Sequence, residues 1–222
     1  MNLNRLKKSE ILWLYNHFCR HKHRYTEHIK CYLTEKPAHS PIQEKIATFD
    51  IETSNLKATF GIVFSYAFLQ ADGKILGRAI TPNEIRRGIY DKKLLQELVE
   101  DMQNQDTVIT WFGKYFDIPF VRTRCLHYGI KFPEHKSLRH IDLWKTCKDK
   151  LKLHSNRLQV CCDFLGVKSK GHPIKSHIWF DAMGGKKKAL DYIFKHNTED
   201  VESTMMVYNK LLPYISNLKG SI

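Results

Sequence analysis

Four carboxylates stand in apolar or tightly turning sequence where an acid needs a reason. Asp50 and Glu52 sit two apart at the end of an apolar run that starts at Ile46, so in an extended chain both point to one face. Asp117 follows Trp111-Phe112-Gly113-Lys114-Tyr115-Phe116 where a strand should give way to a helix, and Asp200 lies in a helical stretch with His196 one turn before it on the same face. A carboxylate in apolar surroundings is costly unless it is paired or binds a metal. Brought together, the four would repel one another. A hard divalent cation, Mg²⁺ or Mn²⁺, relieves that repulsion while leaving room for water and substrate phosphate. Two such ions, roughly 3.5–4 Å apart, can activate a water and stabilise the leaving oxygen of an in-line displacement at phosphorus. A neutral imidazole at His196 could take that water's proton, because its ordinary pKa is close to working pH. The pattern describes metal-assisted phosphodiester hydrolysis. Taken singly, each piece has a plainer account: a solvated strand end for Asp50 and Glu52, a helix N-cap for Asp117, an exposed polar pair for His196 and Asp200. Order and context together favour the catalytic account.

A second set of potential ligands lies near the N-terminus, where Cys19, His21, His23, His28 and Cys31 fall within thirteen positions. Cys19, His23, His28 and Cys31 could close a tetrahedral Zn²⁺ site and let a segment too short for its own core fold. The competing account is a basic amphipathic helix whose Ile11, Leu12, Leu14, Tyr15 and Phe18 dock on the rest of the chain. Lys114, beside Asp117, is a candidate phosphate contact.

The elements that must position these groups can be read from periodicity. Residues 46–51, 60–69 and 74–80 suit three consecutive strands, with Asp72-Gly73 as the turn between the second and third. Residues 91–103 carry Leu94, Leu95, Leu98, Val99 and Met102 at helical spacing, and 107–112 is again a strand, which is the signature of a parallel crossover. Helix 120–128, strand 141–143 and helix 158–165, closed by Gly166, follow. Residues 171–185 read as irregular. Residues 187–212 form one long helix with Leu190, Ile193, Asn197, Val201, Met205 and Tyr208 along a stripe. The result is an α/β fold, a mixed sheet of three antiparallel strands followed by parallel ones, with helices on its faces.

Of 222 residues, 36 are Lys or Arg and 23 Asp or Glu, a formal charge of +13, and 42% are hydrophobic, so the chain can bury a core and is no disordered tail. Residues 1–45 carry +5 and 122–188 carry +11, whereas 46–121 and 189–222 carry −2 and −1, so the candidate carboxylates lie in the stretches without excess base. That division suggests a polyanion, with nucleic acid the commonest, held over an acidic site. A path for a single strand would use the basic residues from Arg122 to Lys188 with Tyr128, Trp144, Trp179 and Phe180 interleaved. No apolar run approaches the roughly 20 residues of a membrane span, and Ile11–Tyr15 is shorter than a signal peptide's apolar stretch, so a cytoplasmic protein without membrane contact is expected. Six Cys in a chain this long read as reduced thiols or ligands. The segment Lys36-Pro37-Ala38-His39-Ser40-Pro41 reads as a linker, with a basic His- and Cys-containing arm over residues 1–45 and the main domain over 46–222.

Phe49-Asp50-Ile51-Glu52-Thr53 resembles the first motif of the DEDD 3′–5′ exonucleases of the ribonuclease H-like superfamily. Residues 110–120 resemble the second and His196-Asn197-Thr198-Glu199-Asp200-Val201 the third, in the right order over about residues 46–215. His four positions before the last Asp is similar to the YprB-like branch, and Phe112 stands where many relatives carry Asn. The resemblance implies a ribonuclease H-like five-stranded sheet and a 3′–5′ exonuclease acting on single-stranded DNA or RNA. It further implies a two-ion site in which Asp50 bridges, Glu52 and Asp200 complete the first ion's shell and Asp117 reaches the second, with Asp142 structural. A catalytically silent nucleic-acid-binding module and a structure-specific endonuclease are the alternatives.

Overall fold

The computed structural model describes residues 6, 8–35, 37, 39, 40, 44–134, 137–169 and 173–215. Lys36, Ala38 and Pro41 of the expected linker lie outside these residues. The chain divides into two compact units, Met1–Glu44 and Lys45–Ile222.

In the first unit, α1 (Lys8–Asn16) and α2 (Ile29–Glu35) flank an antiparallel bridge between Phe18 and Arg24. Leu14, Cys19, Tyr25, Cys31 and Tyr32 are buried together as a small core, with Leu6, Trp13 and Ile29 partly buried against it. Of the apolar residues expected to dock α1 elsewhere, Leu14 enters this core, whereas Ile11, Leu12, Tyr15 and Phe18 are each about half exposed.

The second unit is built on the expected mixed five-stranded sheet. β1 (Ile46–Thr53), β2 (Val63–Gln70) and β3 (Ile75–Ala79) form an antiparallel meander. The β2–β3 turn is tight because Gly73 takes the left-handed region at φ +87° and Asp72 accepts the N–H of Lys74. After α3 (Pro82–Arg86) and α4 (Lys92–Gln103), β4 (Thr107–Thr110) joins parallel to β1. After α5 (Asp117–Tyr128), β5 (Arg139–Asp142) joins parallel to β4, giving the order β3-β2-β1-β4-β5. All four residues of β4 are buried, as a strand between two parallel neighbours and covered on both faces must be. Then come α6 (Leu143–Lys150), α7 (Leu158–Leu165), α8 (Ser176–Met183) and α9 (Lys187–Leu211).

The main core joins Phe49, Tyr66 and Phe68 of the sheet to Leu94, Leu98 and Met102 of α4 and Leu190 and Ile193 of α9. A second cluster sits under β4 and β5, with Ile109, Leu143, Cys147, Cys161, Cys162 and Val207. Three local expectations need correction. Strand 107–112 stops at Thr110, because Phe112 takes a left-handed φ of +66° that ends the ladder. Residues 171–185, expected to be irregular, contain α8; a single helix of eight residues is too short to show periodicity in sequence. The expected strand at 141–143 ends one residue earlier, since Leu143 already begins α6 behind an Asp142 N-cap.

Candidate active site

The alternation of β1 sends Thr48, Asp50 and Glu52 to one face and Ala47, Phe49 and Ile51 to the other. α9 lies over the first face and meets each of those side chains in turn. The Thr48 hydroxyl donates to the Val201 carbonyl at 2.8 Å, Asn197 Nδ2 donates to Asp50 Oδ2 at 2.6 Å, and His196 Nε2 lies 3.8 Å from Glu52 Oε1. One turn along α9, Asp200 Oδ2 is 3.9 Å from the same His196 Nε2. A register irregularity between Glu52 and Thr53 ends β1 at this point; such a bulge re-aims the side chains beside it.

Asp117 arrives from the neighbouring strand. The parallel ladder of β1 with β4 ends at the Thr48–Ile109 pair. Beyond it the Ile51 N–H, between Asp50 and Glu52, donates to Asp117 Oδ1 at 3.1 Å. Asp117 is 3% exposed, and burial pushes its carboxyl up to about 7, with the charges of Asp142 and Asp200 adding to the rise against the backbone N–H bonds that lower it.

Donor atoms of Glu52, His196 and Asp200 lie within 4.8 Å of one another and could hold a metal ion. Asp50 and Asp117 fall outside that mutually close set and adjoin it through Asn197 and Ile51. The carboxylates thus gather outside the C-terminal ends of two adjacent parallel strands, the usual ligand crevice of an open α/β sheet.

The loop from Trp111 to Phe116 is held by Asp142. Its carboxylate accepts the N–H groups of Phe112, Lys114 and Trp144, each at 3.0 Å, so it restrains a Phe in a backbone region that favours Gly or Asn. Gly113 is required where it stands, since a Cβ there would meet Thr110 side-chain atoms at 2.5–2.7 Å. Lys114 is exposed, with its ammonium 5.9 Å from the Tyr115 ring. Phe112, Tyr115 and Trp144 form an open aromatic cluster with centroids 4.9–5.7 Å apart, and Lys148 lies 4.9 Å from the Trp144 ring.

A family model described as the RNase H superfamily matches residues 47–212. The chain belongs to the RNase H superfamily. Among solved structures, the family B DNA polymerase from the hyperthermophilic archaeon Pyrobaculum calidifontis is similar in fold, with a TM-score of 0.64 at 18% identity. The likeness covers 80% of this chain and 26% of the polymerase, so the chain spans about a quarter of that protein's length. No curated protein sequence matches.

Within this RNase H-like unit, two contacts are not assigned by the sequence: that of Asn197 with Asp50, and that of Trp144, expected only as part of a basic path, with Phe112 and Tyr115. Asn197 is fully buried, takes the Ser65 hydroxyl on its Oδ1 at 3.2 Å and gives its amide to Asp50; its only signal in sequence is an amide in an otherwise apolar helix stripe. The aromatic cluster of Phe112, Tyr115 and Trp144 joins residues some thirty positions apart, which no spacing rule reveals. The basic path expected between Arg122 and Lys188 is partly withdrawn into the interior. Arg124 is 8% exposed and forms a two-bond pair with fully buried Asp91, which also accepts the Tyr128 hydroxyl, and Trp179 stacks on Phe64. Phe180 is exposed and Trp144 is half-buried.

In the N-terminal unit, Cys19, His28 and Cys31 come together with His21 as the fourth member of the close set, in the place expected for His23. Among the described residues no helix is long and apolar enough to cross a membrane.

Proposed function

We propose that residues 46–222 are a DEDD-type 3′–5′ exonuclease of the YprB-like branch, hydrolysing terminal phosphodiester bonds of single-stranded DNA or RNA. The observation that supports it is the meeting of Asp50, Glu52, Asp117 and Asp200 with His196 outside the ends of β1 and β4. The donor set suits a hard cation: it is oxygen-rich and largely withdrawn from water, and burial first, with the Asp142 and Asp200 charges adding, pushes the Asp117 carboxyl up to about 7. Asp50, Glu52, Asp117 and Asp200 would hold two Mg²⁺ or Mn²⁺ ions, which when bound neutralise phosphate charge and acidify water. Asn197 orients Asp50, the Thr48–Val201 bond sets the height of α9 above β1, and His196, its Nε2 facing Glu52 and Asp200, accepts the proton of the attacking water. Phe112 and Tyr115 offer faces on which terminal bases stack, and Lys114 lies within reach of a phosphate. A cytoplasmic setting accords with six cysteines outside disulfides.

The test uses 3′-labelled and internally labelled DNA and RNA oligonucleotides with Mg²⁺ or Mn²⁺. Mononucleotides released from the 3′ end support the proposal. Internal fragments would make the protein a structure-specific endonuclease, and binding without cleavage would make it a silent binding module. Asp50→Ala and Asp200→Ala should abolish cleavage and leave binding largely intact. His196→Ala should slow the chemical step, and an unchanged rate would assign the proton to another group.

A further inference from the structure

We propose that Cys19, His21, His28 and Cys31 bind one Zn²⁺ ion that holds the N-terminal unit in its fold, a site separate from the carboxylates and independent of the exonuclease proposal. The four sulfur–nitrogen distances among the donors cluster around the value expected for a tetrahedral zinc ion. Zn–S bonds of about 2.3 Å and Zn–N bonds of about 2.0–2.1 Å put S and N donors about 3.6 Å apart. The four S–N separations straddle that value: His21 Nδ1 to Cys31 Sγ 3.2 Å, His28 Nδ1 to Cys31 Sγ 3.5 Å, His28 Nδ1 to Cys19 Sγ 3.8 Å and His21 Nδ1 to Cys19 Sγ 4.0 Å. One donor atom from each of the four lies within 4.8 Å of all the others.

The local backbone explains why these four meet. Residues 18–24 form a small hairpin: Phe18 bridges Arg24, Cys19 N–H donates to His23 O at 2.9 Å and Lys22 N–H to Cys19 O at 2.8 Å, with Lys22 at φ +65°. Cys19 and His21 sit two apart on that turn. His28 and Cys31 sit three apart where α2 begins, with Cys31 N–H donating to His28 O at 2.9 Å, so they share one face of the first helical turn. His23 comes within 3.3 Å of His28 Nδ1 yet stays outside the mutually close set.

The chemistry of the set and the needs of the unit agree. Two thiolates and two imidazoles suit zinc, in contrast to the oxygen donors of the carboxylate site. Zn²⁺ displaces the two thiol protons, and the resulting site of two thiolates, two neutral imidazoles and one dication carries no net charge. Among the described residues, five buried hydrophobic ones, two of them the cysteines, make the core of a unit of 44 residues, and units below about 40–50 residues ordinarily need a metal, a disulfide or a partner to fold. Both cysteines are free thiols.

The full-length protein, purified under reducing conditions without chelator, should carry one zinc per chain by elemental analysis, retained in the Asp50→Ala/Asp200→Ala double variant. Replacement by Co²⁺ should give tetrahedral d–d bands and a thiolate-to-cobalt charge-transfer band, which the carboxylate site cannot produce. His21→Asn should weaken zinc binding by at least about tenfold and His23→Asn by no more than about twofold. Absence of both zinc and the charge-transfer band overturns the proposal, as does a Cys19–Cys31 disulfide that persists in protein purified under reducing conditions. Zinc lost with His23→Asn and kept with His21→Asn overturns the ligand assignment. Should His21→Asn fail to fold, the wild-type Co²⁺ spectrum decides.

Discussion

Asn197→Ala isolates the contact that orients Asp50. The amide is fully buried and donates to Asp50 Oδ2 at 2.6 Å, while its oxygen accepts from Ser65 Oγ at 3.2 Å. A hydrogen bond to a charged group contributes roughly 1.5–3 kcal/mol, about twice a neutral one. If the bond acts by holding Asp50 in its productive position, that energy is lost from the transition state, and at about 1.4 kcal/mol per decade the single-turnover cleavage rate should fall roughly 10- to 150-fold. Ser65→Ala is the control, because it removes the partner on the other side of the same amide and leaves the donor to Asp50 in place. It should cost about 1 kcal/mol in urea denaturation and change the rate by no more than a few-fold. The assay is release of labelled nucleotide from a 3′-labelled oligonucleotide with enzyme in excess, at saturating Mg²⁺. A rate for Asn197→Ala within twofold of wild type, or an equal loss in Ser65→Ala, would refute the positioning role.

Arg124→Met should destabilise the main unit by about 3–5 kcal/mol in chemical denaturation, since it strands the buried Asp91 carboxylate, and adding Asp91→Asn should recover part of that loss; full stability in the single variant would remove the pair from the account. Tyr115→Ala should weaken binding of a single-stranded oligonucleotide by about 1 kcal/mol or more, roughly fivefold, measured by fluorescence anisotropy in an Asp200→Ala background; unchanged affinity would take the aromatic cluster out of the substrate path. His140 is buried against Thr110, and burial, with Lys114 nearby, holds its imidazole down at about 4. The unfolded chain therefore takes this proton first as pH falls, and stability present above about 6.5 is lost between about 6.5 and 4, by up to about 3 kcal/mol. His140→Gln should flatten that part of the stability-versus-pH curve; parallel curves would show that His140 does not titrate this way.

Much of the fold was legible because its signals are local. The period of two in β1, the Asp72-Gly73 turn and the long stripe of α9 each lie within one stretch of chain, and together they predict the antiparallel meander followed by parallel strands. The same locality explains why Asp50 with Glu52 and His196 with Asp200 could be paired on shared faces. Segments without internal periodicity were not legible: α8 is too short, and the end of β4 depends on the left-handed Phe112 that Asp142 restrains from another strand.

The order of residues along the chain determined which acids could share a face, which helix carried His196 beside Asp200, and that the N-terminal segment held an excess of Cys and His. Only tertiary structure decided what each group meets. It placed Asn197 against Asp50, drew Arg124 out of the basic surface to balance Asp91, and brought His21 in place of His23 to the paired cysteines. The physical reason is the same in each case. Periodicity fixes the direction of a side chain relative to its own element, but the partner across the gap depends on how elements pack, and a polar group that packing buries must find a partner within hydrogen-bond distance wherever the chain supplies one.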